Sequence, residues 1–132
     1  MNDSRSLIRI RIGLEHAHYG GGLVDGAFVC KLFGDAATEV LILSDGDEGL
    51  FRAYQSLEFL APVYAGDYLE VEARLAATGR TSRTIELECR KVIRATGGSS
   101  AETLDPPLVV ARAVGICVVP LDKQRNPDEE PR

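Results

Sequence analysis

Two acids in an apolar stretch are the residues here with the most chemical promise. Asp35 and Glu39 stand four apart within GAFVCKLFGDAATEVL, so on a helix they share a face about one turn apart. Around them Phe28, Val29, Leu32, Phe33, Ala36, Val40 and Leu43 give a broad apolar face. A carboxylate in such surroundings is costly unless it is paired, hydrated or used. Acid/base work on a small substrate is the natural use. The plainer reading makes one of the two a structural acid, bonded to a sheet or to a partner subunit.

Other candidates precede and follow this pair. His18 and Tyr19 lead into Gly20-Gly21-Gly22, a run that permits backbone conformations other residues avoid. Asp25 stands where a helix N-cap is expected, with Gly26 opening the helix. Backbone N–H groups there, at the positive end of the helix dipole, can face a developing negative charge. Basic and hydroxyl groups cluster later, as Arg80, Ser82 and Arg83, then Lys91 and Arg94. The Asp45–Gly49 turn, DGDEG, lacks the length and spacing of a calcium loop and reads as a solvated turn, with Asp47 and Glu48 as outside candidates. His16 and His18 are the only histidines, and no Cys/His cluster surrounds them, so no metal ligand set is expected. Cys30, Cys89 and Cys117 are odd in number and set in apolar patterns, as free buried thiols are.

The elements that must hold these groups follow from periodicity. Residues 7–14, LIRIRIGL, alternate as a strand with Ile8, Ile10, Ile12 and Leu14 on one face. A helix is predicted from Gly26 to about Leu43, ended by Ser44-Asp45-Gly46-Asp47; Gly34 within it marks close packing or a ligand. Strands follow at 50–60, at 68–76 with Leu69, Val71, Ala73 and Leu75 inward, at 81–93, and at 108–120. Residues 97–107, GGSSAETLDPP, read as a loop, and 122–132 as a polar, mobile tail after a single domain at 1–121. One helix covering an antiparallel sheet of about five strands is an α+β arrangement. It leaves surface to bury, so a dimer or larger assembly is expected.

Composition bounds the rest. The chain has 132 residues, 45% of them hydrophobic, enough for one domain with a real core. A net charge of -5 argues against nucleic acid as the main partner. No apolar run approaches the roughly 20 residues that span a bilayer, and MNDSRSLIRIRIG does not read as a signal peptide, so a cytoplasmic protein is expected.

The element order, together with AHYGGGLVDGA, FGDAATE, DGDEGLFRAY, FLAPVYAGDY, GRTSRT and AVGICVVPLD, resembles the hot-dog fold. Within it the chain most resembles the β-aminoacyl-CoA ammonia-lyases, over Leu7 to about Arg125. The resemblance implies reversible loss of ammonia from 3-aminobutyryl-CoA to give crotonyl-CoA, as in lysine fermentation. No cofactor beyond the substrate's CoA is implied. It also implies a homodimer or homohexamer with sites between subunits. On this reading Glu39 takes the C2 proton and Asp35 holds the ammonium or shares the transfer. The start of the helix at Asp25 and Gly26 supplies donors to the enolate oxygen. His18 stands roughly where hot-dog thioesterases carry a functional Asn or Asp, and Tyr19 can flank the ammonium. Arg80, Ser82 and Arg83, then Lys91 and Arg94, are the CoA-phosphate candidates; Phe59, Pro62, Val63 and Tyr64 line the acyl end or only the core. Thioesterases of this fold place their helix acid near the position of Leu32, which argues against hydrolysis by that route. An acyl-CoA thioesterase, a hydratase and a non-catalytic acyl-CoA-binding domain stay open as alternatives.

Overall fold

In a computed structural model, described for residues 4–125, one helix lies across a five-stranded antiparallel sheet. The strands are β1 (Arg5–Arg11), β2 (Leu50–Phe59), β3 (Tyr68–Thr78), β4 (Ser82–Gly97) and β5 (Ser100–Val118), and the helix is α1 (Gly26–Asp45). Spatial order is β1-β3-β4-β5-β2. This is the hot-dog fold expected from the element order.

Alternation decides which side of the sheet the helix covers. Leu69, Val71, Ala73 and Leu75 of β3, with Ile85, Leu87 and Cys89 of β4, are all buried toward α1. The helix answers with Val29, Leu32, Phe33, Ala36, Ala37, Val40 and Leu41, the i, i+3, i+4 spacing of one apolar stripe. The opposite face of the sheet carries the intervening charges as cross-strand pairs. Arg9 bonds Glu70, Arg74 pairs with Glu86, and Arg90 reaches Glu72 at 2.9 Å and Glu88 at 3.1 Å. Such pairs let this face meet water without burying apolar surface.

Four departures from the sequence reading have local causes. β1 stops at Arg11, and Leu14 enters a short 3-10 turn (Leu14–His16) where its side chain is 77% exposed. The helix runs two residues past Leu43, to Asp45, and ends on Gly46 in the left-handed region (φ 76°), whose N–H reaches the Ile42 carbonyl at 2.9 Å. Residues 97–107 are mostly strand: β4 and β5 continue as a hairpin through Ile93↔Thr103, Arg94↔Glu102 and Gly97↔Ser100. Between Lys91↔Leu108 and Ile93↔Thr103 the register jumps, so residues 104–107 bulge out. That bulge accommodates Pro106 and Pro107, which have no N–H to give a ladder. Gly34 marks no close packing in the protomer, for a Cβ there would meet nothing within 4 Å.

The first residues of the expected tail are held rather than loose. Leu121–Lys123 form a 3-10 turn, and the Gln124 amide donates to the Arg80 and Val119 carbonyls at 2.8 and 3.0 Å. Residues 126–132 of that tail lie outside the described residues. Among the described residues no helix is long and apolar enough to cross a membrane.

Candidate active site

The glycine turn and the Pro62–Asp67 turn, far apart in sequence, form one wall. Gly21 and Gly22 adopt φ of 75° and 78°, where only glycine is comfortable. This conformation lets the chain run back along residues 63–65: the Val24 N–H reaches the Val63 carbonyl and the Ala65 N–H the Gly22 carbonyl, each at 2.9 Å. Leu23 and Tyr64 form an isolated bridge between them.

A buried carboxylate holds the second turn. Asp67 accepts from the Tyr64 N–H at 2.8 Å and the Ala95 N–H at 3.1 Å, and its carboxylate pairs with the Lys91 ammonium at 2.8 Å. Lys91 also donates to the Pro62 carbonyl at 2.9 Å and lies 5.7 Å from the centre of the Tyr64 ring. With every near partner internal and its side chain 3% exposed, Lys91 fixes the wall and is not placed to grip a phosphate.

Behind this wall, at the start of α1, opens a cleft of about 470 Å³. Buried Val24, Val29, Val63 and Val110 give it an apolar floor, and Phe59, Leu60, Ala61 and Pro62 complete its lining together with Asp25 and Gly26. Asp25 occupies the N-cap position, but its side chain makes no capping hydrogen bond. The Phe28 N–H turns instead to the Asp25 backbone carbonyl, at 3.2 Å. The half-buried Asp25 carboxylate and the first-turn N–H groups are therefore not consumed by each other. Of the expected acyl-end residues, Phe59, Pro62 and Val63 line the cleft and Tyr64 does not.

The acid pair is placed differently from the expectation. Asp35 and Glu39 fall on the side of α1 away from its apolar stripe, and both residues are exposed. Asp35 pairs with Lys31 one turn earlier, at 3.0 Å. Glu39 accepts the Ser6 hydroxyl of β1 at 2.5 Å and straps the helix to the sheet edge. At 1.5 Å rise per residue, Glu39 stands about 20 Å along the axis from Gly26, and Asp35 about 14 Å. Within one protomer neither acid can take a C2 proton from a thioester whose carbonyl sits on the first-turn N–H groups. The helix apolar count hid this, because it does not say which edge of the stripe an acid occupies.

The remaining candidates separate to the two ends of α1. His18 and Tyr19 lie at the cleft end, both exposed, their rings edge to face at 4.8 Å. His16, not singled out by the sequence, accepts the Gly13 N–H at 3.0 Å and stacks on Phe28, with ring centres 4.5 Å apart. Arg94 is at this end too, exposed and paired with Glu102. Arg80, Ser82 and Arg83 lie at the other end, where Arg83 is buried against Asp45 of the last helical turn. Its Nε and Nη2 donate to the Asp45 carboxylate at 2.9 Å each, and Nη1 donates to the Gly79 and Ser82 carbonyls. Arg83 thus locks the β3–β4 turn to the helix, in place of the CoA contact expected of it; exposed Arg80 keeps a free guanidinium among the described residues. Burial pushes the Asp45 carboxyl up, but the Arg83 and Ser44 hydrogen bonds with the Arg83 and Arg125 charges outweigh it and hold it below the usual carboxylate range. Asp47 accepts the Gly49 N–H at 2.9 Å as a turn residue, and Glu48 is exposed.

The thiols are free, and two are buried. Burial pushes Cys89 up to about 12, against the pull of the Arg90 charge, and Cys117 up to about 11. Neither is a ready nucleophile at neutral pH.

A five-stranded sheet around one helix, with an apolar cleft at the helix start, defines a class, and residues 21–97 match that class directly: the chain belongs to the thioesterase superfamily. Within it the chain groups with carbon–nitrogen lyases. It is 56% identical over 125 residues to the 3-aminobutyryl-CoA ammonia lyase of Acetoanaerobium sticklandii, covering 92% of this chain and 99% of that one. The β-alanyl-CoA:ammonia lyase of Clostridium propionicum superposes with a TM-score of 0.92 at 33% identity, over 98% of this chain and 94% of that one. An acyl-CoA hydrolase from Staphylococcus aureus, solved with butyryl coenzyme A, shares the fold at a TM-score of 0.72 and 14% identity, over 94% and 68% of the two chains.

Proposed function

We propose that this protein reversibly eliminates ammonia from 3-aminobutyryl-CoA to give crotonyl-CoA. The observation that carries the reading is the 56% identity, over nearly the full length of both chains, to an ammonia lyase of that substrate. The cleft suits it: an apolar floor, one carboxylate and a helix start are what a short acyl thioester with an acidic C2 proton requires.

In this reading the thioester carbonyl lies against the first turn of α1, where backbone N–H groups and the helix dipole stabilise the enolate-like oxygen. C2 is one bond from that carbonyl, so its base must come from the same end of the helix. Asp25 meets that condition within the protomer and takes the C2 proton. The electron pair left on C2 forms the C2–C3 double bond as the C3–N bond breaks, and ammonia leaves with the electrons of that C3–N bond. Tyr19 and His18, on the loop before the helix, flank the departing amine. Glu39 and Asp35 reach a reacting centre only from a second copy of the chain. For the CoA phosphates, Arg94 at the cleft end is the protomer's own candidate, and Arg80 serves a site shared with a second copy.

Crotonyl-CoA, offered with and without ammonium, tests the reading when enoyl-thioester absorbance and free thiol are followed together. Ammonium-dependent loss of the enoyl signal with no thiol released is the expected result. Thiol release would make the protein a thioesterase, and ammonium-independent enoyl loss a hydratase.

A further inference from the structure

Gly26 has no backbone reason to be glycine. It opens α1 in ordinary helical geometry, and its φ is not among the positive values of the chain. The reason is a neighbour: a Cβ built on Gly26 would lie 2.7 Å from Cζ of the Phe59 ring and 3.0 Å from Cε1 and Cε2. Those three atoms are the tip of the ring. Phe59 therefore reaches from the last position of β2 and sets its tip on the first residue of the helix, both lining the cleft.

The backbone beneath the ring is anchored in the sheet. Phe59 pairs with Ala111 in the β2–β5 ladder, and the next residue, Leu60, donates its N–H to the Val110 carbonyl at 2.8 Å. It lines the cleft together with the buried valines, but the residue itself is 53% exposed. It is thus placed as a wall of the cleft and not as a core residue. Removing it enlarges the cleft without excavating the core.

We propose that the Phe59 ring, seated on Gly26, sets the length of acyl chain this cleft accepts. The inference rests on the reading that the cleft receives the acyl end of a CoA thioester. On this proposal a four-carbon chain stops short of the ring, and further methylenes meet its edge. An apolar wall of this kind discriminates chain length by roughly 10-fold or more per step, as pockets that sort methylenes do.

The test uses saturated esters, so that it reads the cleft whether or not the protein is a lyase. Affinities for butyryl-CoA and hexanoyl-CoA are measured by calorimetry on the full chain, as wild type, Phe59→Ala, Phe59→Leu and Gly26→Ala/Phe59→Ala. Wild type prefers the four-carbon ester. Phe59→Ala shifts the ratio toward the six-carbon ester by at least about 10-fold, and Phe59→Leu shifts it less. In the double variant the new Cβ enters space the ring has left, so part of the four-carbon preference returns. An unchanged ratio in both Phe59 variants overturns the proposal, as does failure of wild type to bind either ester. Absence of the ammonium-dependent reaction in wild type, with the ratio still shifting, would overturn the lyase reading alone.

Discussion

The Lys91 ammonium lies 2.8 Å from the Asp67 carboxylate, with both side chains almost wholly buried, and 2.9 Å from the Pro62 carbonyl. One cation from β4 thereby holds the turn that walls the cleft, and through residues 63–65 the glycine turn docked on it. Replacing Lys91 by Met leaves the Asp67 carboxylate buried with two backbone N–H partners and no counter-charge. Breaking a buried pair from one side costs about 3–5 kcal/mol. Urea unfolding of Lys91→Met is expected to show a loss in that range, and residual activity should show a raised KM as the Pro62 wall loosens.

The second buried pair governs acid stability. Arg83 is 4% exposed and holds Asp45 with two bonds, and the Asp45 carboxyl is lowered in the folded state. A carboxyl lowered by folding adds stability that is present above its unfolded value of about 3.9 and disappears as pH falls through the folded value. Arg83→Met is therefore expected to destabilise by about 3 kcal/mol at pH 7. The gap from wild type should narrow as the pH drops below 4, which urea midpoints at a series of pH values will show.

Much of the architecture was legible because it rests on short-range pattern. Ile85, Leu87 and Cys89 alternate with charged neighbours, and every one of them proved buried. What escaped depended on partners from elsewhere in the chain. Nothing near Arg83 or Lys91 announces Asp45 or Asp67, so two cations read as ligand contacts proved to be ties within the fold. The GGSSAETLDPP stretch has loop composition, but β4 offers it a ladder on one side and residues 104–107 bulge clear of that ladder. Asp25 was read first as a cap from its position; its side chain makes no capping bond, a distinction that sequence does not carry.

Gly34 offers a prediction of opposite sign. It sits mid-helix with open space where a Cβ would go. Glycine inside a helix costs about 0.5–1 kcal/mol relative to alanine. Gly34→Ala is thus expected to raise stability by that amount in thermal unfolding. A loss of assembly size on gel filtration, in place of the gain, would show that a second copy packs closely at this point.

Asp25 and Glu39 can be told apart by where their loss is felt. Asp25 lines the cleft with no capping bond, so Asp25→Asn gives up only its charge at the helix start, worth at most about 1 kcal/mol, and thermal stability should stay close to wild type. A base lost from the reacting centre lowers kcat by about 10²–10⁴-fold. Glu39 instead accepts the Ser6 hydroxyl and ties α1 to β1. Glu39→Ala should cost about 1.5–3 kcal/mol of stability, with kcat falling far less than in Asp25→Asn. Steady-state kinetics and thermal unfolding on the same preparations give both readings. If Glu39→Ala loses kcat by 10²-fold or more with little change in unfolding, the reacting centre lies at the middle of the helix. Substrate would then reach Glu39 from a neighbouring copy, and Asp25 would give up the role of base.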